Sequence, residues 1–119
     1  MLSFPPGIQV FMAVEPVDMR KSFDGLSSAV ETVFERNVLD GHLFLFLNRR
    51  RDRMKLLHFA AGGFWLYYRL LESGTFEELK PVGDSCRLQI DATQLAMLLS
   101  GISLVASTKR RKRMVSQAA

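Results

Sequence analysis

The densest chemistry in this chain is a run of cations, Arg49-Arg50-Arg51-Asp52-Arg53-Met54-Lys55, placed between an apolar stretch and an amphipathic one. Guanidinium groups on a polar turn match the geometry of phosphate oxygens, so the run suits a polyanion. The bland alternative is a solvated turn whose charges keep the chain soluble and discourage edge pairing. A second cluster, Lys109, Arg110, Arg111, Lys112 and Arg113, lies near the end of the sequence and offers nonspecific phosphate contact of strong salt dependence. Trp65, Tyr67 and Tyr68 follow the first run and would stack on bases if their face were open, but a stripe of that kind is expected in a core.

Catalytic groups are sparse. His42 and His58 each sit in an apolar stretch, where a structural histidine with satisfied nitrogens is expected. Cys86 has no histidine nearby to make a thiolate. Asp40, Asp52 and Lys55 only distantly resemble a nuclease strand, because Arg53 stands where the second carboxylate is needed. Gly62-Gly63 opens a strand, not a helix, so it is not a phosphate loop. No catalytic, metal or cofactor-binding residue is therefore assigned.

The elements that must position these residues follow from periodicity. The pair Pro5-Pro6 marks an extended lead-in, and the β-branched and aromatic residues from Ile8 to Val14 predict a first strand. Asp18 is expected to cap a helix whose apolar residues, Met19, Phe23, Leu26, Val30, Val33 and Phe34, share one face. Gly25 inside it suggests close packing against a sheet. Leu43 to Leu47 is unbroken apolar sequence and predicts a central strand covered on both faces.

Met54 to Phe59 and Phe64 to Leu71 then form a hairpin. A two-residue or a four-residue loop gives one register, with His58 facing Trp65, Leu56 facing Tyr67, Met54 facing Arg69 and Lys55 facing Tyr68. A three-residue loop would change every partner. Residues 72–85 promise at most one short strand. Arg87 to Ile90 is a last strand, and Asp91 with Gln94 three residues on reads as a capping box opening a helix to about Ser100, stopped at Gly101.

These elements predict an α+β fold, a single domain over residues 1–106 with a mostly antiparallel sheet of four to six strands and two main helices. Residues 107–119 are expected to be a disordered basic tail. With 119 residues and 48% apolar content, one core is the most the chain can bury. The formal net charge is +4, yet the tail holds five cations and no acid, which leaves −1 on the remaining residues. The sequence pI of 9.6 therefore reflects the tail and not the body. The single cysteine, the absence of a signal-like start and the lack of a long apolar run point to a cytoplasmic protein.

Several segments together resemble one family. They are Asp18-Met19-Arg20-Lys21-Ser22-Phe23-Asp24-Gly25-Leu26, Gly41-His42-Leu43-Phe44-Leu45-Phe46 and Asn48 to Leu57. Gly63 to Arg69, Leu71-Glu72-Ser73-Gly74-Thr75-Phe76 and Gln94 to Ile102 continue the series. In this order they resemble the TnpB accessory protein, second open reading frame, of insertion sequences of the IS66 type. The likeness spans roughly Pro6 to Leu104. Two places depart from it: Phe59-Ala60-Ala61-Gly62-Gly63 replaces a common Trp-Asp-Gly-Asp-Gly, and Glu77-Glu78 replaces Trp-Pro.

The resemblance implies a non-catalytic helper of DNA transposition, with strand chemistry left to a separate transposase. Its expected partners are DNA, the transposase and the element's other accessory protein, in a monomer or an oligomer, with no cofactor. The resemblance brings no set of DNA-contacting residues; the charge pattern gives Arg49, Arg50, Arg51, Arg53 and Lys55 as the expected contacts, with the tail cations as auxiliaries. The rival reading is an adaptor that binds only protein, and an exposed apolar patch of Phe64, Trp65 and Tyr67 would favour it.

Overall fold

Two consecutive strands are apolar at every position, and each must therefore be covered on both faces. In the computed structural model of the chain, which describes residues 7–80, 85 and 87–100, these are β1 (Val10–Ala13) and β2 (Leu43–Leu47), and every residue of both is buried. They lie inside a five-stranded sheet of order β4-β3-β2-β1-β5. β3 is Arg53–Ala60, β4 is Gly63–Leu70 and β5 is Arg87–Ile90. β1 and β2 run parallel, joined by a helical crossover, while the other neighbours are antiparallel. The α+β expectation holds, with one parallel pair at the sheet's centre.

Strand alternation divides the core in two. Phe11, Ala13, Phe44, Phe46 and Leu57 face Leu26, Val30, Phe34 and Val38 from the crossover. Phe34 sits among Phe11, Phe44 and Phe46, with ring centroids 5.2 to 6.2 Å away. The opposite face, including Met12, Leu45, Met54, Leu56 and Ile90, is covered by Leu95 and Leu98 of α2 (Ala92–Ser100) and by Phe76. Phe76 comes from a segment without regular structure, and periodicity did not mark it as core.

The crossover helix is shorter than its apolar spacing predicted. α1 is Phe23–Ala29, continued by a π turn, Val30–Phe34, and then a 3-10 turn, Val38–Asp40. Asp18 is not its cap: Ser22 holds that position, and the Asp18 carboxylate bonds Arg20 instead. Phe23, expected on the buried face, is exposed. The π turn ends at Glu35, in the left-handed region at φ 53°, where Arg87 of β5 donates to the Val33 carbonyl at 3.1 Å and to Glu35 at 2.8 Å. A guanidinium distant in sequence thus takes up one of the carbonyls at the helix end. At Gly25 the nearest neighbour of an added Cβ would be the Lys21 side chain, at 3.2 Å, on the same segment and not on the sheet.

The capping box is present in full: Asp91 Oδ1 accepts from the Gln94 N–H at 2.7 Å, and Gln94 Oε1 accepts from the Asp91 N–H at 2.9 Å. The hairpin adopts the predicted register, from Arg53 opposite Leu70 to Ala60 opposite Gly63, around a two-residue turn. Ala61 and Gly62 both have positive φ, 53° and 76°, as a type I′ turn requires. The stop at Gly101, the boundary at residue 106 and the basic tail lie outside the described residues.

Candidate nucleic-acid interface

The arginine run forms the turn between β2 and β3, and Asn48 shapes it. Asn48 Oδ1 accepts from the Asp52 and Arg53 N–H groups at 3.1 and 3.0 Å, and its Nδ2 donates to Asp52 Oδ1 at 2.7 Å. Arg51 takes the left-handed conformation, φ 58°, and its carbonyl accepts from the Phe76 N–H at 2.6 Å. A second loop comes alongside where the Val17 N–H donates to the Leu47 carbonyl at 2.9 Å. Both loops leave the carboxyl ends of the parallel pair β1 and β2, the position where open α/β sheets commonly bind ligands.

Between the loops lies a cleft of about 460 Å³ lined by Pro16 to Met19, Asn48, Arg49, Arg50, Asp52 and Arg53. The two acids on its wall are engaged: Asp52 by Asn48, and Asp18 by Arg20, whose Nη2 reaches Asp18 Oδ2 at 2.6 Å. That bond, a second from the Arg20 backbone N–H and the guanidinium charge hold the Asp18 carboxyl at about 2, well below its ordinary value. The Arg20 guanidinium is raised in turn by the same hydrogen bond and charge.

The cations named from the sequence divide into two groups. Arg49, Arg50 and Arg53 are exposed, and among the described residues none of the three forms an ion pair. Arg51 is half-buried and turns to Glu78 at 3.6 Å, with its buried Nε lacking a hydrogen-bond partner. Lys55 is only 7% exposed. Its ammonium donates to the Lys21 carbonyl at 2.7 Å and lies 4.9 Å from the centre of the Tyr68 ring. A buried amine with these partners ties β3 to the start of the crossover and is not presented on the surface of the turn. Alternation along β3 was the signal that placed Lys55 inward with Leu57. Lys109 to Arg113 lie outside the described residues.

The aromatic stripe is core only at Tyr67, which is half-buried against the α2 side of the sheet. Trp65 is 55% exposed, Tyr68 51%, and Phe64 and Leu70 are exposed as well, because β4 is an edge strand that neither helix fully covers. Trp65 stacks on Tyr67 with centroids 6.2 Å apart and ring planes within 13°. On the other face the Tyr68 hydroxyl accepts from Arg53 Nη1 at 3.3 Å, which joins the stripe to the arginine turn. Arg69, outside the cationic run in sequence, is exposed at the same end of the hairpin.

His42 Nδ1 accepts the Gln9 N–H at 3.0 Å, and its ring meets Phe11 edge-on. His58 is buried, with Nδ1 3.5 Å from the His42 carbonyl. Among the described residues no three His, Cys, Asp or Glu side chains gather closely enough to hold a metal ion, and no helix is long and apolar enough to cross a membrane. Cys86 lies outside the described residues.

Residues 8–109 match the family described as IS66 Orf2 like protein. The chain belongs to this family. Among its relatives is an uncharacterized protein of Sinorhizobium fredii, y4hO, 33% identical over 102 residues, 86% of this chain and 87% of the relative. A second from the same organism, y4jC, is 29% identical over 96 residues, 81% of this chain and 80% of that one. No solved structure matches the chain. The IS66 Orf2 family comprises accessory proteins of insertion sequences, and the role of this member is accordingly an accessory one in transposition. Both departures from the family pattern have a structural place here. Ala61 and Gly62 make the hairpin turn, and Glu78 reaches Arg51.

Proposed function

We propose that this IS66 Orf2 protein assists transposition by holding DNA phosphates at the turn between β2 and β3, while a separate transposase carries out strand chemistry. The observation that carries the reading is the set Arg49, Arg50 and Arg53, exposed around one cleft with the neighbouring carboxylates already engaged. Guanidinium groups left without acids in a body of nearly neutral charge gain most from an outside anion. Arg51 and Lys55 act in this scheme as the turn's internal supports, and Lys109 to Arg113 add nonspecific contact.

Fluorescence anisotropy on the element's terminal DNA, repeated over a salt series, tests it. Each phosphate contact contributes about 0.9 to the slope of log affinity against log salt, so changing Arg49, Arg50 and Arg53 together to Ala should flatten it by about 2.7. An unchanged affinity and slope in the substituted protein rejects this surface. The adaptor reading, favoured by exposed Phe64 and Trp65, predicts that outcome together with retained binding to the transposase.

A further inference from the structure

The outer edge of β4 is a feature that the arginine turn does not use. It is eight residues long, contains no proline and carries one charge, Arg69. Natural sheet edges are normally short, charged or bulged, because an open row of N–H and C=O groups templates another strand. Among the described residues β4 pairs with β3 on its inner side and with no strand on its outer side.

Its exposed apolar side chains stand on both faces of the sheet. Phe64, Tyr68 and Leu70 point to one side and Trp65 to the other, as their partners across the hairpin show. A ligand lying on one face would cover either the three or the one. A strand added edge-on would extend both layers at once.

We infer that β4 pairs with β4 of a second copy of this chain, antiparallel about a two-fold axis perpendicular to the sheet and centred at Tyr67. The hydrogen-bond phase permits it. In a two-residue hairpin the residues flanking the turn bond to each other, so Gly63, Trp65, Tyr67 and Arg69 direct their main-chain groups to β3. The Leu71 N–H, in the same phase, does donate to the Asp52 carbonyl at 2.8 Å. Phe64, Leu66, Tyr68 and Leu70 then aim theirs outward.

Centring at Tyr67 sets Phe64 opposite Leu70 of the second copy, and Trp65 opposite Arg69 of the second copy. The strand's single cation thus meets an aromatic ring in place of its own like charge. The four exposed side chains offer roughly 400 Å² per chain, roughly 800 Å² across the pair. With the backbone edge, Tyr67 and Arg69 the total reaches the ~1,000 Å² at which specific interfaces begin. This pairing does not depend on DNA contact by the arginine turn.

Sedimentation equilibrium of the full chain up to roughly 100 μM tests it, the expected species being a dimer of the 13.5 kDa chain. Trp65→Lys sets the new ammonium against Arg69 of the other copy and should weaken the dimer about tenfold or more. Adding Arg69→Glu to it should restore the dimer, since the two introduced charges then face each other. Leu70→Pro removes an outward N–H without touching the β3 ladder and should weaken the dimer as well, with far-UV circular dichroism unchanged.

A wild-type chain that stays monomeric overturns the inference and leaves the edge to a strand of another protein. A dimer that survives both Trp65→Lys and Leu70→Pro overturns it too. A double variant that stays monomeric overturns the register.

Discussion

Lys55 is the residue on which charge in the sequence and burial in the structure disagree most, and replacing it separates the two. Its stem packs within β3 at 7% exposure, and its ammonium holds the Lys21 carbonyl and the Tyr68 ring. Lys55→Ala deletes three buried methylenes, at about 0.8 kcal/mol each, or about 2.4 kcal/mol. The charge-assisted hydrogen bond adds about 1.5 to 3 kcal/mol and the ring contact about 1 kcal/mol. Against these stands the cost of taking an ammonium out of water without a carboxylate partner, also several kcal/mol. The polar contributions therefore nearly cancel and the stem remains. Lys55→Ala should lose about 2 to 3 kcal/mol, and Lys55→Met, which keeps the stem, should fall within about 1 kcal/mol of wild type. Urea unfolding followed by circular dichroism reads both, with equal slopes in denaturant expected. Neither change should alter the salt slope of DNA binding, since this ammonium touches no phosphate. A methionine variant as unstable as the alanine variant, or one that keeps its stability and loses salt slope, would refute the assignment of Lys55 as an internal tie.

Two further outcomes follow from local geometry. Ala61 occupies a left-handed position of the hairpin turn, where an L side chain other than Asn or Asp is strained, so Ala61→Asn should stabilise the chain by about 0.5 to 1 kcal/mol in the same unfolding assay. Asp18, held at about 2 by Arg20, contributes stability that is present above its ordinary value near 3.8 and is lost as pH falls through 2. A carbon-detected carboxyl titration should show its midpoint near 2 in the wild type and near the ordinary value in Arg20→Ala; the same midpoint in both would place the cause elsewhere.

Much of the architecture was written in local pattern. The unbroken run Leu43 to Leu47 identified the central strand because only a strand covered on both faces tolerates apolar residues at every position. The hairpin register followed from alternation and a two-residue turn, and the capping box from Asp91 and Gln94, since each involves residues a few positions apart. The arginine turn was visible for the same reason, as charge concentrated between two apolar segments.

Which of those charges face outward was decided only by long-range packing. Lys55 is buried because the Lys21 carbonyl, supplied from a loop 34 residues earlier, meets its ammonium, and Arg51 is drawn toward Glu78 while its carbonyl takes the Phe76 N–H. Asp18 looked like a helix cap by type and position, but Arg20 captured its carboxylate, and the helix began at Phe23. Phe64, Trp65 and Tyr68 of β4 carry the composition of a core strand and became surface because strand order placed them at an edge. Local spacing fixes which residues form each element and each turn, whereas exposure and pairing depend on which elements become neighbours, and that information is spread over the whole chain.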